Sequence, residues 1–277
     1  MTTVPSVRLK SGVEMPQLGF GVFLVPPEEV VEPVRVALET GYRLLDTATL
    51  YGNEEGVGQA IRDSGVPRDE IFLTTKVWNS DQGYEATLRA FDESQKLLGL
   101  DVIDLYLIHW PTPKRDLYVE TWRALERLYA DGRVRAIGVS NFTVAYLTRL
   151  LDEGTVVPAV NQIELHPGLV QEELRTFHAS RGIVTESWSP LGRGHGLLDQ
   201  EVVTSIAAAH DKTAAQVVLR WHLDLGLVTI PKSTRAERIR ENFDVFDFTL
   251  TADEVAALSA LREPGRVGPD PEQMNRA

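Results

Sequence analysis

Short apolar runs rich in β-branched residues alternate along this chain with longer stretches whose apolar positions recur at helical spacing. The pattern predicts eight strands, at 19–23, 43–48, 71–78, 102–109, 134–140, 159–165, 182–189 and 227–232. Amphipathic helical stretches lie between them, including 28–40, 54–63, 84–98, 117–131 and 213–225. In the stretch 84–98, Leu88, Phe91, Leu97 and Leu98 fall on one face, as expected of a helix packed on a sheet.

Near-continuous apolar strands, each followed by a helix, predict a parallel sheet covered by helices, and eight such units predict a closed (β/α)8 TIM barrel of the α/β class. An open doubly wound sheet is the rival. That fold marks its cofactor site with Gly-x-Gly-x-x-Gly after the first strand, whereas this chain carries Gly19-Phe20-Gly21-Val22-Phe23 there. The run Gly192-Arg193-Gly194-His195-Gly196 has the wrong spacing, so the barrel is preferred. Ahead of the first unit, Val7-Arg8-Leu9 and Met15-Pro16-Gln17 flank Ser11-Gly12 and predict an N-terminal β-hairpin. Behind the eighth, 251–262 predicts an extra C-terminal helix, opened by a capping box of Thr251 and Glu254. The tail 263–277, rich in Gly, Pro and charge, is expected to be a surface loop. With no linker or low-complexity segment, residues 1–277 are expected to form a single domain.

Composition narrows the function classes. Lys and Arg number 28 against 40 Asp and Glu, a net charge of −12, which disfavours nucleic acid as a partner. The chain has no cysteine, which removes disulfides, thiolate chemistry and Cys-ligated zinc. The N-terminal stretch has no signal-peptide core, and no apolar run approaches the ~20 residues of a membrane helix. A cytoplasmic protein that does not contact a membrane is expected.

In a parallel barrel the loops after the strands share one mouth, where function collects. The predicted strand ends carry Asp46, Lys76, His109, Ser140-Asn141, Trp188-Ser189 and Lys232-Ser233, with Gln162 and Glu164 along the sixth strand and Tyr51 in the loop after the second. Singly, each has an ordinary reading: Lys76 as a solvated strand end, Asp46 as a helix cap, Tyr51 as a packing residue, His109 as a core histidine. Together, Asp46, Tyr51, Lys76 and His109 suit the reduction of a carbonyl, which needs hydride at carbon and a proton at oxygen. A tyrosine hydroxyl is a weak acid, with a reference pKa of about 10. A nearby ammonium is expected to lower that value. Asp46 would keep the ammonium charged, and His109 could donate a hydrogen bond to the carbonyl oxygen.

The motifs that hold these residues resemble those of the aldo-keto reductases. They are Asp46-Thr47-Ala48-Thr49-Leu50-Tyr51-Gly52-Asn53-Glu54, Thr75-Lys76-Val77-Trp78, Asp104-Leu105-Tyr106-Leu107-Ile108-His109-Trp110-Pro111, Gly138-Val139-Ser140-Asn141-Phe142, Asn161-Gln162-Ile163-Glu164-Leu165-His166-Pro167 and Ile230-Pro231-Lys232-Ser233. The likeness runs from about Val7 to Leu261 in the family's order, and within the family it is most similar to bacterial 2,5-diketo-D-gluconate reductases. The resemblance implies a (β/α)8 barrel that uses NADPH without a dinucleotide-binding fold of the Gly-x-Gly-x-x-Gly type. It implies that Asp46, Tyr51, Lys76 and His109 are catalytic, with Tyr51 the general acid. It places Ser140, Asn141 and Gln162 on the nicotinamide carboxamide and Trp188 on the nicotinamide ring. Ser189, Leu191 and Gly192 would follow the pyrophosphate, and Lys232, Ser233, Thr234, Arg238, Glu241 and Asn242 the 2′-phosphate and adenine. No metal is implied, and a monomer is.

Charge supports the last of these assignments: 231–242 holds four cations and two anions, a local excess of +2 in a chain of −12. Arginine gives bidentate contacts to phosphate, and a helix N-terminus adds backbone donors. The expected substrate walls are Phe23, Trp78, Trp110, Tyr51 and His109. Short loops at 111–116 and 193–198 suggest an open, shallow mouth for small polar carbonyls: aldehydes, α-dicarbonyls or keto-sugar acids such as 2,5-diketo-D-gluconate. Two other functions compete. A metal-dependent barrel hydrolase could ligate through Asp46, His109, Glu164 and His166, and an NADPH-binding regulatory module could keep the site with little turnover. A purely structural barrel would not need so many polar strand ends.

Overall fold

Two short strands, β1 (Ser6–Arg8) and β2 (Glu14–Pro16), open the computed structural model, which describes residues 4–276. They pair antiparallel with Val7 opposite Met15, as the sequence predicts, and the turn between them uses Gly12 at φ +84°. Leu9 and Met15 are buried and join the apolar side chains inside the barrel, so the hairpin plugs its floor.

Eight parallel strands follow in sequential order: β3 (Gly19–Gly21), β4 (Leu44–Asp46), β5 (Phe72–Val77), β6 (Ile103–Ile108), β7 (Val134–Ser140), β8 (Val160–Glu164), β9 (Val184–Trp188) and β10 (Val228–Thr229). Leu18 forms a parallel bridge to Thr229, and the Gly21 N–H donates to the Pro231 carbonyl at 3.1 Å, which closes the (β/α)8 barrel. Leu44, Phe72, Leu105, Leu107, Val160 and Val228 fill the interior. The outer strand faces pack against α1 (Val31–Thr40), α2 (Glu54–Asp63), α3 (Tyr84–Leu98), α4 (Tyr118–Ala130), α5 (Val144–Glu153), α6 (Glu172–Arg181) and the helices beyond. Packing is tight enough that a Cβ on Gly58 of α2 would lie 2.1 Å from the Leu98 carbonyl oxygen.

Four features differ from the sequence expectations. The first and last barrel strands stop earlier than the apolar pattern, because residues such as Phe23 and Lys232 leave the ladder to line the mouth. The connection after β9 is not short. It contains two tight turns and an added helix, α7 (Glu201–Ala209), before α8 (Ala214–Asp224). After α9 (Ala236–Phe243), the final helix α10 (Ala252–Ser259) has the expected capping box at Thr251 and Glu254 but ends before residue 262.

The tail is a surface loop, as expected, but it runs as a strap across the mouth. Glu164 accepts hydrogen bonds from the Val267 N–H at 2.6 Å and the Gly268 N–H at 2.9 Å, and the Tyr146 hydroxyl donates to Glu272 at 2.6 Å. Asn79 donates to the Arg276 carbonyl at 2.7 Å. A buried carboxylate needs donors, and the tail backbone supplies them to Glu164. The mouth is therefore covered on one side rather than open and shallow. Among the described residues no helix is long and apolar enough to cross a membrane.

Candidate active site

Tyr51 is positioned by the turn that follows β4. Residues Thr49–Tyr51 make one 3-10 turn, and Gly52 leaves it at φ +67°, a conformation that favours glycine. The buried Asn53 then ties the loop down. Its amide donates to the Val22 and Val25 carbonyls at 3.1 and 3.0 Å and its oxygen accepts from Thr47 at 2.7 Å. Thr49 donates to the Lys76 carbonyl at 2.9 Å, linking the loop to β5.

Lys76 is fully buried beneath the mouth, not solvated as the ordinary reading of a strand-end lysine would have it. Its Nζ donates to Asp46 Oδ1 at 2.7 Å and to the Thr47 carbonyl at 2.9 Å, and lies 5.2 Å from the centre of the Tyr51 ring. Burial works against the ammonium, but Asp46 and Tyr51 outweigh it, so the Lys76 pKa is raised and the group stays charged. For Tyr51 the balance differs from the sequence expectation. Burial raises the hydroxyl's pKa, Lys76 opposes this, Asp46 adds to it, and the result lies above the ordinary tyrosine value. The resting phenol is therefore held protonated rather than pre-acidified.

The His109 ring stands edge-on to Tyr51 and Trp78, at centroid distances of 5.8 and 5.1 Å. Burial first, then the Lys76 charge, push its pKa well below the usual histidine range, which leaves a neutral imidazole. Its Nδ1 has no partner among the described residues. Asn141, at φ +65°, donates to the His109 carbonyl at 3.0 Å and accepts from the Trp188 indole at 2.8 Å, and so fixes both. Ser140 donates to the Gln162 carbonyl at 2.9 Å, and the Gln162 amide donates to Asp46 Oδ2 at 2.7 Å.

These groups surround one cavity of about 400 Å³ at the carboxyl ends of the strands. Of the residues named from sequence, Phe23, Asp46, Tyr51, Trp78, His109, Trp110, Ser140, Asn141, Gln162, Trp188, Ser189, Leu191 and Lys232 line it. Lys76 lies underneath, and Gly192 is buried behind the Ser189 turn, where its N–H donates to the Ser189 carbonyl at 3.0 Å. Ser233 and Thr234 continue from Lys232 toward α9, which carries Arg238, Glu241 and Asn242 outside the cavity wall. Glu241 accepts from Thr213 at 2.8 Å, and Asn242 is buried. Arg193, Met274 and Arg276 also line the cavity. Met274 and Arg276 escaped sequence reading because the tail's path over the mouth leaves no periodic signal, and Arg193 because it sits at positive φ in the irregular turn after β9.

The hydrolase ligand set is not brought together. Asp46 is engaged by Lys76 and Gln162, and Glu164 by the tail. His166 faces Glu164 at 3.3 Å, and among the described residues no three His, Asp or Glu side chains converge as a metal site.

Comparison with known proteins adds to this geometry. The model of the Aldo/keto reductase family matches residues 17–263. A glyoxal reductase of Bacillus subtilis is 54% identical over 270 residues, 97% of each chain. A methylglyoxal reductase, DkgA, of Yersinia pestis is 51% identical over 273 residues, 98% of each chain. The crystal structure of a variant of Gox0644 in complex with NADPH superposes with a TM-score of 0.94 at 51% identity, covering 98% of this chain and 99% of that one.

Proposed function

This chain belongs to the aldo/keto reductase family, and on that premise we propose that it is an NADPH-dependent carbonyl reductase whose acid is Tyr51. The observation that carries the reading is the buried Asp46–Lys76 pair placed under the Tyr51 ring, with a neutral His109 beside it.

In this reading NADPH, when bound, supplies hydride to the carbonyl carbon. The protein's residues handle the oxygen. His109 donates a hydrogen bond to it and fixes its direction, and the Tyr51 hydroxyl gives it a proton. The raised pKa of Tyr51 keeps that proton in place until it is needed. Once it leaves, the phenolate sits beside the Lys76 ammonium, so the lysine stabilises the state after transfer more than the state before it. Asp46 holds the ammonium in position and keeps it charged.

The residues available fit the dinucleotide. Trp188 offers a flat indole at the cavity wall, held by Asn141, and Ser140, Asn141 and Gln162 present amide and hydroxyl groups beside it for a carboxamide. Lys232, Ser233, Thr234 and Arg238 form a cationic, hydroxyl-bearing approach to α9, which suits a 2′-phosphate. Ser189, Leu191 and Gly192 would follow the pyrophosphate, and Glu241 and Asn242 the adenine.

For the substrate we favour small α-dicarbonyls of the glyoxal and methylglyoxal class, by analogy with the two reductases above and with an aromatic cavity partly roofed by the tail. Phe23, Trp78 and Trp110 would form its walls. The sequence likeness to 2,5-diketo-D-gluconate reductases is not carried by those relatives, so keto-sugar acids rank second. Steady-state kinetics on aldehydes, α-dicarbonyls and keto-sugar acids test this with both cofactors. A higher kcat/KM with NADPH, and for methylglyoxal over 2,5-diketo-D-gluconate, is expected. Preference for NADH would overturn the 2′-phosphate assignment, and tight NADPH binding without turnover on any carbonyl would favour a regulatory module.

A further inference from the structure

Behind Gln162 lies a second acidic group that the reductase reading does not use. Glu186, in the middle of β9, is fully buried and points into the barrel, with Gln162 of β8 and Val228 of β10 as its register partners. Its Oε2 accepts from Gln162 Nε2 at 2.9 Å, while the same amide nitrogen donates to Asp46 Oδ2 at 2.7 Å. One amide thus joins two carboxyl groups, and its two hydrogens are fully spent on them. The other Glu186 oxygen, Oε1, is buried without a partner among the described residues.

Charge counting makes this arrangement informative. The interior groups that act on Glu186 are Asp46 from β4, Tyr51 from the turn after β4, Lys76 from β5 and Gln162 from β8, while β10 opposes it with Val228. Lys76 is the one cation in that set, and it is already in contact with Asp46 at 2.7 Å. A second ionised carboxylate in the same buried space would be uncompensated, a far more costly state than a neutral acid.

We propose that Glu186 is a positioning residue for the reduction: an uncharged carboxyl group that holds the Gln162 amide and leaves the Lys76 charge to Asp46 and Tyr51. The proposal rests on the reductase reading for its catalytic part, whereas the uncharged state stands on geometry alone. Burial and the neighbouring Asp46 carry the Glu186 pKa up to about 8, in keeping with the neutral form at neutral pH. Above that value Glu186 ionises, a second negative charge faces Asp46, and Tyr51 meets a weaker positive field. Turnover should therefore fall on the alkaline side through Glu186, before Tyr51 itself titrates.

Infrared difference spectroscopy of the native protein against Glu186→Gln reads the first part without cofactor or substrate. The native protein should show the carbonyl stretch of a protonated carboxylic acid at pH 6, missing from the variant and lost as pH rises through about 8. Absence of any such band at pH 6 would overturn the proposal. The pH profile of kcat/KM reads the second part. Glu186→Gln keeps shape and neutrality, so it should retain activity within about threefold at pH 6.5 and move the alkaline limb upward. Glu186→Ala, which releases Gln162, should lose about tenfold or more at every pH. An alkaline limb identical in native and Glu186→Gln protein would remove Glu186 from the mechanism. If the native chain reduces no carbonyl at all, the reductase reading fails, while the infrared result still decides the protonation state.

Discussion

Replacing Lys76 by methionine isolates the energetics on which the site is built. Methionine preserves most of the aliphatic stem but removes the ammonium that donates at 2.7 Å to Asp46 and at 2.9 Å to the Thr47 carbonyl. Asp46 would then keep only Gln162 as a side-chain partner, at a position that is almost wholly buried. Breaking one side of a buried ion pair typically costs about 3–5 kcal/mol, chiefly because the remaining charge is left without compensation. At roughly 2 °C per kcal/mol for a chain of this size, Tm should fall by about 6–10 °C. Chemical denaturation followed by tryptophan fluorescence gives the free energy. The double variant Lys76→Met/Asp46→Asn removes the stranded charge and should recover part of the loss. A Lys76→Met protein within about 1 kcal/mol of native, or a double variant no more stable than the single one, would refute the argument that the two charges hold each other in place.

Two further outcomes follow from other buried groups. His178 receives a hydrogen bond from Asn161 at 2.9 Å and contacts Thr185 at 2.8 Å, and burial holds its pKa near about 4. The unfolded chain takes that proton near 6.5, so its contribution is complete above that pH and is lost as pH falls toward about 4, roughly 3 kcal/mol in all. NMR titration should find the ring neutral until about pH 4, whereas a midpoint near 6.5 would contradict the linkage. Glu164→Ala removes the acceptor for the Val267 and Gly268 N–H groups, and limited proteolysis within 262–276 should accelerate about 10–100-fold. Unchanged cleavage would show that Glu164 does not fasten the strap.

The barrel was legible because burial on both strand faces writes near-continuous apolar runs, and those runs survive in the sequence whatever the loops do. The positions of Asp46, Lys76 and His109 followed from the same rhythm, since strand ends define the mouth. What escaped lacks a local signature. The tail is bound through its backbone N–H groups to Glu164, and backbone donors are the same in every sequence. Helix α7 interrupts the strand–helix alternation without breaking its polarity pattern. Glu186 was passed over although it shares strand parity with Trp188. Its partner is on the neighbouring strand, and only the register Gln162 to Glu186 brings them together. The direction of the Tyr51 shift could not be read from types and spacing either, because burial and the Lys76 charge oppose each other and only depth decides.

The central claim is that Tyr51 supplies the proton, and Tyr51→Phe tests it most directly, since it removes one oxygen and leaves the ring between Phe23 and His109. NADPH binding, followed by fluorescence, should stay within about threefold of native, while turnover of methylglyoxal falls by about 10²–10⁴-fold, the usual contribution of a positioned general acid. Near-native turnover by the phenylalanine variant would contradict the account.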